Sequence, residues 1–256
     1  MAEIDHRESA GSHDEHAEGI VVSLKPDILG QVGDFPITNS MVTSLVGSVL
    51  LVILVVLFSR HLKAVPSRIQ LVFELIVEKG FDYCKEVLGD EGLARKTFPL
   101  VASLFLFILF FNLIKFIPGA ESITFDGHIF FKPLHADLNM TFALGLVAFI
   151  FVQFMGFFVL GAGRYIGKFV SYRRLHMLPL GLIEIISELA KLVSLSFRLF
   201  GNVLVGGILL LLLSHIFHYF LPVPVLLFEI FVAVLQASIF AMLTLIYVKL
   251  ATDEPH

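Results

Sequence analysis

Five long runs of apolar residues constrain this chain more than any other feature. They cover about residues 41–59, 97–117, 140–161, 180–217 and 225–252, and a hydrocarbon core ~30 Å thick needs about 20 apolar residues per perpendicular helix. With 57% hydrophobic and only 16% charged residues, the chain is too apolar for a soluble domain. The sequence therefore predicts an all-α integral membrane protein with five transmembrane helices, forming one membrane domain over residues 19–256.

The last two runs are longer than a perpendicular span requires. A helix over residues 180–217 would be roughly 55 Å long, so it either tilts strongly or breaks near Gly201 or Gly206-Gly207. The short connection over 218–224 joins it to a second over-long helix. These lengths favour an antiparallel, strongly tilted hairpin, and they raise the hypothesis that it presents a surface to a partner.

Residues 67–88 have the period of an amphipathic helix. Apolar residues recur on one face of it, and the charged residues point elsewhere. The apolar set is Ile69, Val72, Phe73, Ile76, Val77, Phe81 and Cys84. We expect this helix to lie along the membrane surface, with the partner-facing alternative open.

Basic residues orient the bundle, because Lys and Arg accumulate in cytoplasmic loops. The loops after the first and third runs hold eleven of them: Arg60, Lys63, Arg68, Lys79, Lys85, Arg95, Lys96, Arg164, Lys168, Arg173 and Arg174. Five crossings then place the N-terminus outside and the C-terminus inside. Residues 1–18 are acid-rich and polar, which predicts a disordered tail.

Several classes of function find no support in the composition. The net charge of -4 and the placement of the basic residues give no nucleic-acid surface. The single Cys84 cannot form an internal disulfide, and no cluster of Cys and His predicts a metal or cofactor site. The chain has neither a phosphate-cradling glycine loop nor a nucleophile-base pattern, so we expect it not to be an enzyme by itself.

The fourth run carries polar residues where an apolar helix is expected. At 100° per residue they fall within an arc of roughly 120°, and they are Glu184, Ser187, Glu188, Lys191, Ser194, Arg198 and Asn202. A charge at membrane depth costs at least ~2.5 to 3.5 kcal/mol. Glu188 and Lys191 have a structural explanation, because they can pair at i,i+3 and reach water by snorkelling. Arg198 has none, because it lies deeper and has no acid at helical spacing nearby.

Glu229 and Gln236 share a face of the last helix. If the hairpin turns near residue 220, they lie ~20 Å and roughly 10 Å along the axis from Arg198. Arg198 cannot exchange protons, since guanidinium is effectively always protonated. A fixed cation lowers the pKa of a carboxylate brought beside it. The polar residues around it can line two separate half-paths for protons, since one continuous path would leak.

Four motifs carry a resemblance to a known family. They are FNLIKFIPG (111–119), ADLNMT (136–141), LIEIISELAKLVSLSFRLFGN (182–202) and FVAVLQASIFAMLTLIYVKLA (231–251). Together they resemble subunit a of F-type ATP synthases, the stator half of the proton channel. The predicted five-span topology is similar to that family's.

The resemblance implies a horizontal hairpin that wraps against a rotating ring of c subunits. Arg198 then matches the arginine that meets the ring carboxylate and keeps two half-channels apart. Asn202 and Gln236 match the family's polar residues beside it, Glu184 and Ser187 match positions on the cytoplasmic side, and Ser194 and Glu229 complete the expected proton path. Further implied partners are b-type peripheral stalk subunits and the other ATP synthase subunits, with ATP chemistry elsewhere in the complex. The N-terminus is unlike an Arg-rich transit peptide, which favours a bacterial inner membrane, with an organelle-encoded copy as the open alternative.

Two departures from the family pattern matter. Many members carry an acidic or histidine residue where this chain has Gly206-Gly207, and histidine is common where this chain has Glu229. We therefore expect Glu229 to serve the outer half-channel alone or with water. Lys115 stands where some relatives are acidic, and snorkelling to the outer surface would explain it.

A secondary transporter that binds a solute or ion near the bilayer midplane is the alternative. Such transporters often contain internal repeats, and none is visible in this sequence.

For the ATP synthase subunit that the resemblance implies, the coupling ion is expected to be H⁺.

Overall fold

The structure is a computed structural model of the 256-residue chain. It describes residues 28–32, 35–63, 66–116, 124–125, 128–129, 137–161, 163–164, 178–216 and 222–253. The predicted acidic tail, residues 1–18, lies outside the described residues.

Six long helices make up the described body. They are α1 (Asn39–Arg60), α2 (Arg68–Leu88), α3 (Glu91–Ile114), α4 (Leu138–Leu160), α5 (Leu178–Ile216) and α6 (Pro222–Thr252). All except α2 are long and apolar enough to cross a membrane. The all-α integral membrane class with five spanning helices is confirmed, and the chain is a multi-pass membrane protein.

Side-chain caps explain where several helices begin. Asp90 accepts a hydrogen bond from the Gly92 amide at 2.9 Å, and Asp137 accepts one from the Asn139 amide at 2.9 Å. Such caps satisfy amides that have no partner within the helix. The cap at Asp90 starts α3 at Glu91, earlier than the apolar run predicts, because the polar first turns contribute nothing to hydropathy.

Two short strand pairs lie outside the helical body. Strand β1 (Ile28–Val32) pairs antiparallel with β2 (Phe35–Thr38), and β3 (Thr124–Phe125) pairs with β4 (His128–Ile129). The sequence pattern does not predict them. Strands of two to five residues carry too few side chains to establish an alternating pattern.

Helix α5 is continuous over 39 residues, and this settles one of the open alternatives. Its α-helical backbone passes through Gly201, Gly206 and Gly207 without a break. At 1.5 Å per residue it is about 58 Å long. Its inclination to the membrane remains a prediction.

Helices α3 and α6 form the centre of the bundle. One buried cluster joins them to α2 and α4 through residues such as Cys84, Ala94, Val152 and Leu245. A second cluster joins them to α4 and α5, and α1 packs more loosely, with Gly47 against the Phe111 ring. The Lys249 Nζ atom donates to the Leu88 carbonyl at 3.1 Å, so the end of α6 and the end of α2 lie together.

The apolar face of α2 has two environments. Val72, Phe73, Ile76 and Val77 are exposed, whereas the later residues of this face, Phe81 and Cys84, pack on the bundle. One half of the helix is therefore anchored by protein. The exposed half keeps both the membrane-facing and the partner-facing interpretation.

Burial raises the pKa of the Cys84 thiol to about 11. Only the thiolate reacts with maleimide, so we expect labelling in folded protein at pH 7.5 to be roughly a hundredfold slower than for an exposed thiol. Raising the pH towards 11, or unfolding in detergent, should restore reactivity. The control is C84S/E86C, which places a thiol at an exposed position of the same helix. Equal labelling rates for the two proteins would contradict the burial.

Candidate functional site

The polar stripe of α5 divides into an inward part and an outward part. Ser187, Ser194 and Asn202 are exposed and Arg198 is half-buried, whereas Glu188 is only 5% exposed. Large apolar side chains flank the outward part and are also uncovered: Val193, Phe197 and Val205. The side chain of Glu184 lies outside the described residues. The outward part is thus a polar line on an apolar, uncovered surface.

Arg198 has only a weak partner within the described chain. Its Nη2 atom donates to the Ser194 Oγ atom at 3.4 Å, and among the described residues no carboxylate lies within ion-pair distance of it. A guanidinium keeps its charge under all physiological conditions. The site therefore contains a permanent cation that the described part of the chain does not neutralise.

Asn202 and Gln236 join α5 to α6. The Asn202 Nδ2 atom donates to the Gln236 Oε1 atom at 2.5 Å. Gln236 is buried, and its Nε2 atom has no acceptor among the described residues. A buried amide donor without an acceptor is costly, so this atom is a place where water or a further polar group is favoured.

Glu229 lies on α6 where three helices meet. Its carboxylate accepts a hydrogen bond from Lys115 Nζ at the end of α3, and the side chains are only 9% and 12% exposed, respectively. Gly206 of α5 lies against the same carboxylate, and an added Cβ atom there would stand 3.0 Å from the Glu229 Cδ atom. The missing side chain at position 206 makes room for the carboxylate.

These contacts fix the register of α5 and α6 and correct one expectation. Arg198 is four residues from Asn202, which faces Gln236, and eight from Gly206, which faces Glu229. The axial separations are therefore about 6 Å from Gln236 and about 12 Å from Glu229, not roughly 10 and 20 Å. The expected separations were too long because the position of the hairpin turn was assumed. An error of one residue in that position shifts α6 against α5 by two residues.

The inward part of the stripe forms a second polar cluster. Glu188 accepts from Lys191 Nζ at 2.6 Å and from Gln153 Nε2 of α4 at 3.0 Å. Lys191 also lies over the Tyr247 ring, 5.5 Å from its centroid. The cluster borders a cavity of about 10 Å³, roughly one water molecule in size. The predicted pair forms, and its lysine, 20% exposed, packs over the Tyr247 ring.

For three residues of these clusters the sequence did not predict the contact that the structure shows. Lys115 was assigned to the outer surface and instead contacts Glu229. Its signal was a lysine on the side of the membrane where Lys and Arg are scarce. Gln153 could have been noticed as an isolated polar residue inside an apolar span. Gly206 stood out as a departure from the family pattern, but only the packing shows that it faces Glu229.

No group of three or more His, Cys, Asp or Glu side chains within the described ranges could hold a metal ion. The polar groups are instead spread along α5 and α6. Such an arrangement offers proton-exchanging carboxylates at two places and one fixed cation between them.

Comparison with known proteins assigns the chain to one family. A family model described as ATP synthase A chain matches residues 41–249. The chain belongs to the ATP synthase A chain family. It is similar to ATP synthase subunit a of Moorella thermoacetica, with 34% identity over 88% of this chain and 95% of the relative. It is also similar to ATP synthase subunit a of Helicobacter pylori, with 36% identity over 77% of this chain and 83% of the relative.

A third relative, ATP synthase subunit a of Campylobacter jejuni, is 34% identical over 80% of this chain and 87% of its own length. The matched family region begins within α1 and ends within α6. It thus includes Lys115, Glu188, Arg198 and Glu229. Every polar cluster described above lies in the part of the chain shared with the A chain family.

The Glu188 cluster makes a prediction about stability. In Glu188→Ala the Lys191 ammonium loses its carboxylate partner in a largely dry site, so we expect the free energy of unfolding to fall by about 3 kcal/mol. The double variant E188L/K191M removes both charges and should recover most of this loss. The free energy of unfolding of each variant is measured in mixed detergent micelles. The control is Glu91→Gln, whose ion pairs are half exposed and whose loss should have little effect. Equal effects at the two sites would contradict the buried pair.

Proposed function

We propose that this chain is the proton-translocating stator subunit of the membrane sector of an F-type ATP synthase. One observation carries the proposal: Arg198 presents a permanent charge at an uncovered apolar surface and has no carboxylate partner among the described residues. A cation so placed in a membrane requires a partner. A carboxylate carried past it by another subunit would supply one.

The surface around Arg198 suits a membrane-embedded partner. Exposed apolar side chains continue from Val193 and Phe197 of α5 to Phe231 and Leu235 of α6. In a bilayer this surface can face lipid or another apolar helix. We assign it to the ring of c subunits, because only a protein partner brings an acid to Arg198.

The outer half-channel runs past Glu229. Protons reach its carboxylate from the outside and continue towards Arg198 past the Asn202–Gln236 pair, about 6 Å from the level of the arginine. The free Gln236 Nε2 atom supports this route, because it favours a bound water there.

The inner half-channel leaves Arg198 in the opposite direction along α5. Ser194 and Ser187 lie on the uncovered side of the helix, and Glu184 is placed beyond them by sequence. Hydroxyl and carboxylate groups with water between them can pass protons to the cytoplasm.

Arg198 separates the two half-channels. Because guanidinium neither gives nor accepts protons, it stops direct transfer between them. Its charge lowers the pKa of an approaching ring carboxylate, which then releases its proton inward. Each exchange is thereby tied to movement of the ring.

The remaining assignments follow from this role. The chain itself does not catalyse ATP chemistry, and its further partners are b-type peripheral stalk subunits and the other subunits of the complex. We place it in a bacterial inner membrane with the N-terminus periplasmic and the C-terminus cytoplasmic, following the distribution of basic residues.

Replacing Arg198 tests the separating role. In Arg198→Ala we expect proton-driven ATP synthesis to fall by about 10²-fold or more, as when a single electrostatic stabiliser is lost, while passive proton leak rises. Native membrane vesicles measure both quantities. The control is Arg95→Gln, which removes an exposed arginine at the start of α3 and should leave coupling unchanged. Normal coupling in Arg198→Ala would sink the proposal.

The outer half-channel has a steric test as well as a chemical one. Glu229→Gln should slow proton uptake from the outside by about 10²-fold, the usual effect of losing a positioned proton-transfer group. Gly206→Ala should also slow it, because the new methyl group displaces the Glu229 carboxylate. Gly207→Ala is the matched control, since an added Cβ there meets nothing within 4 Å. The measurement is passive proton uptake by membrane vesicles that contain the complex stripped of its catalytic part. Equal uptake rates in Gly206→Ala and Gly207→Ala would count against Glu229 as the relay.

A further inference from the structure

Lys115 has no role in the function proposed above, yet it is one of the most enclosed charges in the described chain. It caps the C-terminal end of α3, and its Nζ atom contacts the Glu229 carboxylate while the side chain is 12% exposed. A lysine that only anchored the end of a span would extend into the headgroup region. The contact with Glu229 excludes that explanation.

Two local features hold the ammonium in place. The carbonyl end of a helix carries partial negative charge, which favours a cation at the end of α3. The Nζ atom also lies 4.9 Å from the centroid of the Phe116 ring, within the range of a cation–π contact. The position of the ammonium is therefore fixed by the end of α3 and the Phe116 ring as well as by the Glu229 carboxylate.

Stability alone does not account for this pair. Removing two charges from water costs several kcal/mol per ion, and apolar replacements of similar volume are often as stable. Glu229 also faces the bare backbone at Gly206, so the packing of α5 has been adapted to the carboxylate. Both observations indicate a pair maintained for what it does.

We propose that Lys115 is the resident counter-cation of Glu229. It holds the carboxylate towards Gly206 and occupies the place that an alkali cation from outside would take. A proton can still bind a free oxygen of the carboxylate and leave it again towards the ring, while the ammonium keeps its own three protons. Lys115 is thus a positioning residue that makes the outer half-channel selective for protons over sodium.

Charge is what carries the selectivity. Two of the described residues that face Glu229 are Lys115 from α3 and Gly206 from α5, and the Asn202–Gln236 pair one turn further along α5 is neutral. Without the ammonium, the carboxylate would be the one charged group among these. Carboxylate oxygens are suitable ligands for hard cations, so sodium would then compete with protons.

The test measures passive proton uptake from the outside in membrane vesicles that contain the assembled complex, stripped of its catalytic part. Each variant is assayed in sodium chloride and in choline chloride at equal ionic strength. Wild type should show the same rate in both salts. Lys115→Met should be slower by about tenfold in choline, because its carboxylate is misplaced, and slower still in sodium. Lys115→Arg should restore the insensitivity to sodium.

Two further variants are controls, one for the loss of any lysine and one for the unpaired charge that Lys115→Met leaves. Lys85→Met removes an exposed lysine of α2 and should behave as wild type. The double variant K115M/E229Q carries no unpaired charge, so it should assemble even if Lys115→Met does not. Its rate should equal that of Glu229→Gln and be insensitive to sodium, since Lys115 acts only through Glu229.

The inference rests on the proposed outer half-channel, and the outcomes separate the two. Normal uptake in Glu229→Gln would overturn both. Slow uptake in Glu229→Gln, together with wild-type rates and no effect of sodium in Lys115→Met, would overturn only the role of Lys115. If Lys115→Met fails to assemble, the comparison is between K115M/E229Q and Glu229→Gln. Slower proton uptake in K115M/E229Q would overturn the role of Lys115, because the lysine would then act independently of the carboxylate.

Discussion

The hydrogen bond between Asn202 and Gln236 sets the register of the two longest helices, and the other polar positions depend on it. In a low-dielectric interior an unpaired amide is costly, so a shift of one helix that left the buried Gln236 oxygen without its donor is opposed. With this register, Gly206 faces Glu229 and Arg198 lies about 6 Å beyond the amide pair. A difference of two residues in the turn would bring another side chain to Glu229.

The charged groups follow a simple order along the hairpin. A carboxylate paired with lysine lies on each side of the arginine: Glu229 with Lys115 in one direction, and Glu188 with Lys191 in the other. Arg198 stands between them without a carboxylate among the described residues. The two pairs form within the chain, whereas the contact of the arginine within the described part is with Ser194. This contrast links the fold to the proposed exchange with a moving carboxylate.

Hydropathy predicted the five spanning helices because a helix that crosses the hydrocarbon core needs a long run of apolar residues. It misplaced the start of α3, where the Asp90 cap adds two polar turns, and it missed the short strand pairs. The helical period of its apolar residues correctly predicted α2. Its division between exposed Val72 and buried Cys84 depends on where α3 and α6 pack, which no local pattern specifies.

The sequence by itself determined the membrane class, the polar stripe of α5 and the permanent charge of Arg198 inside an apolar span, because hydropathy, helical period and permanent charge are local properties. Only the tertiary structure decided which polar groups meet. Lys115 and Glu229 are 114 residues apart in the chain, and Gln153 reaches Glu188 across 35. Such contacts arise from the register of packed helices, and a shift of a single residue, 1.5 Å along a helix axis and 100° around it, is enough to make or break them.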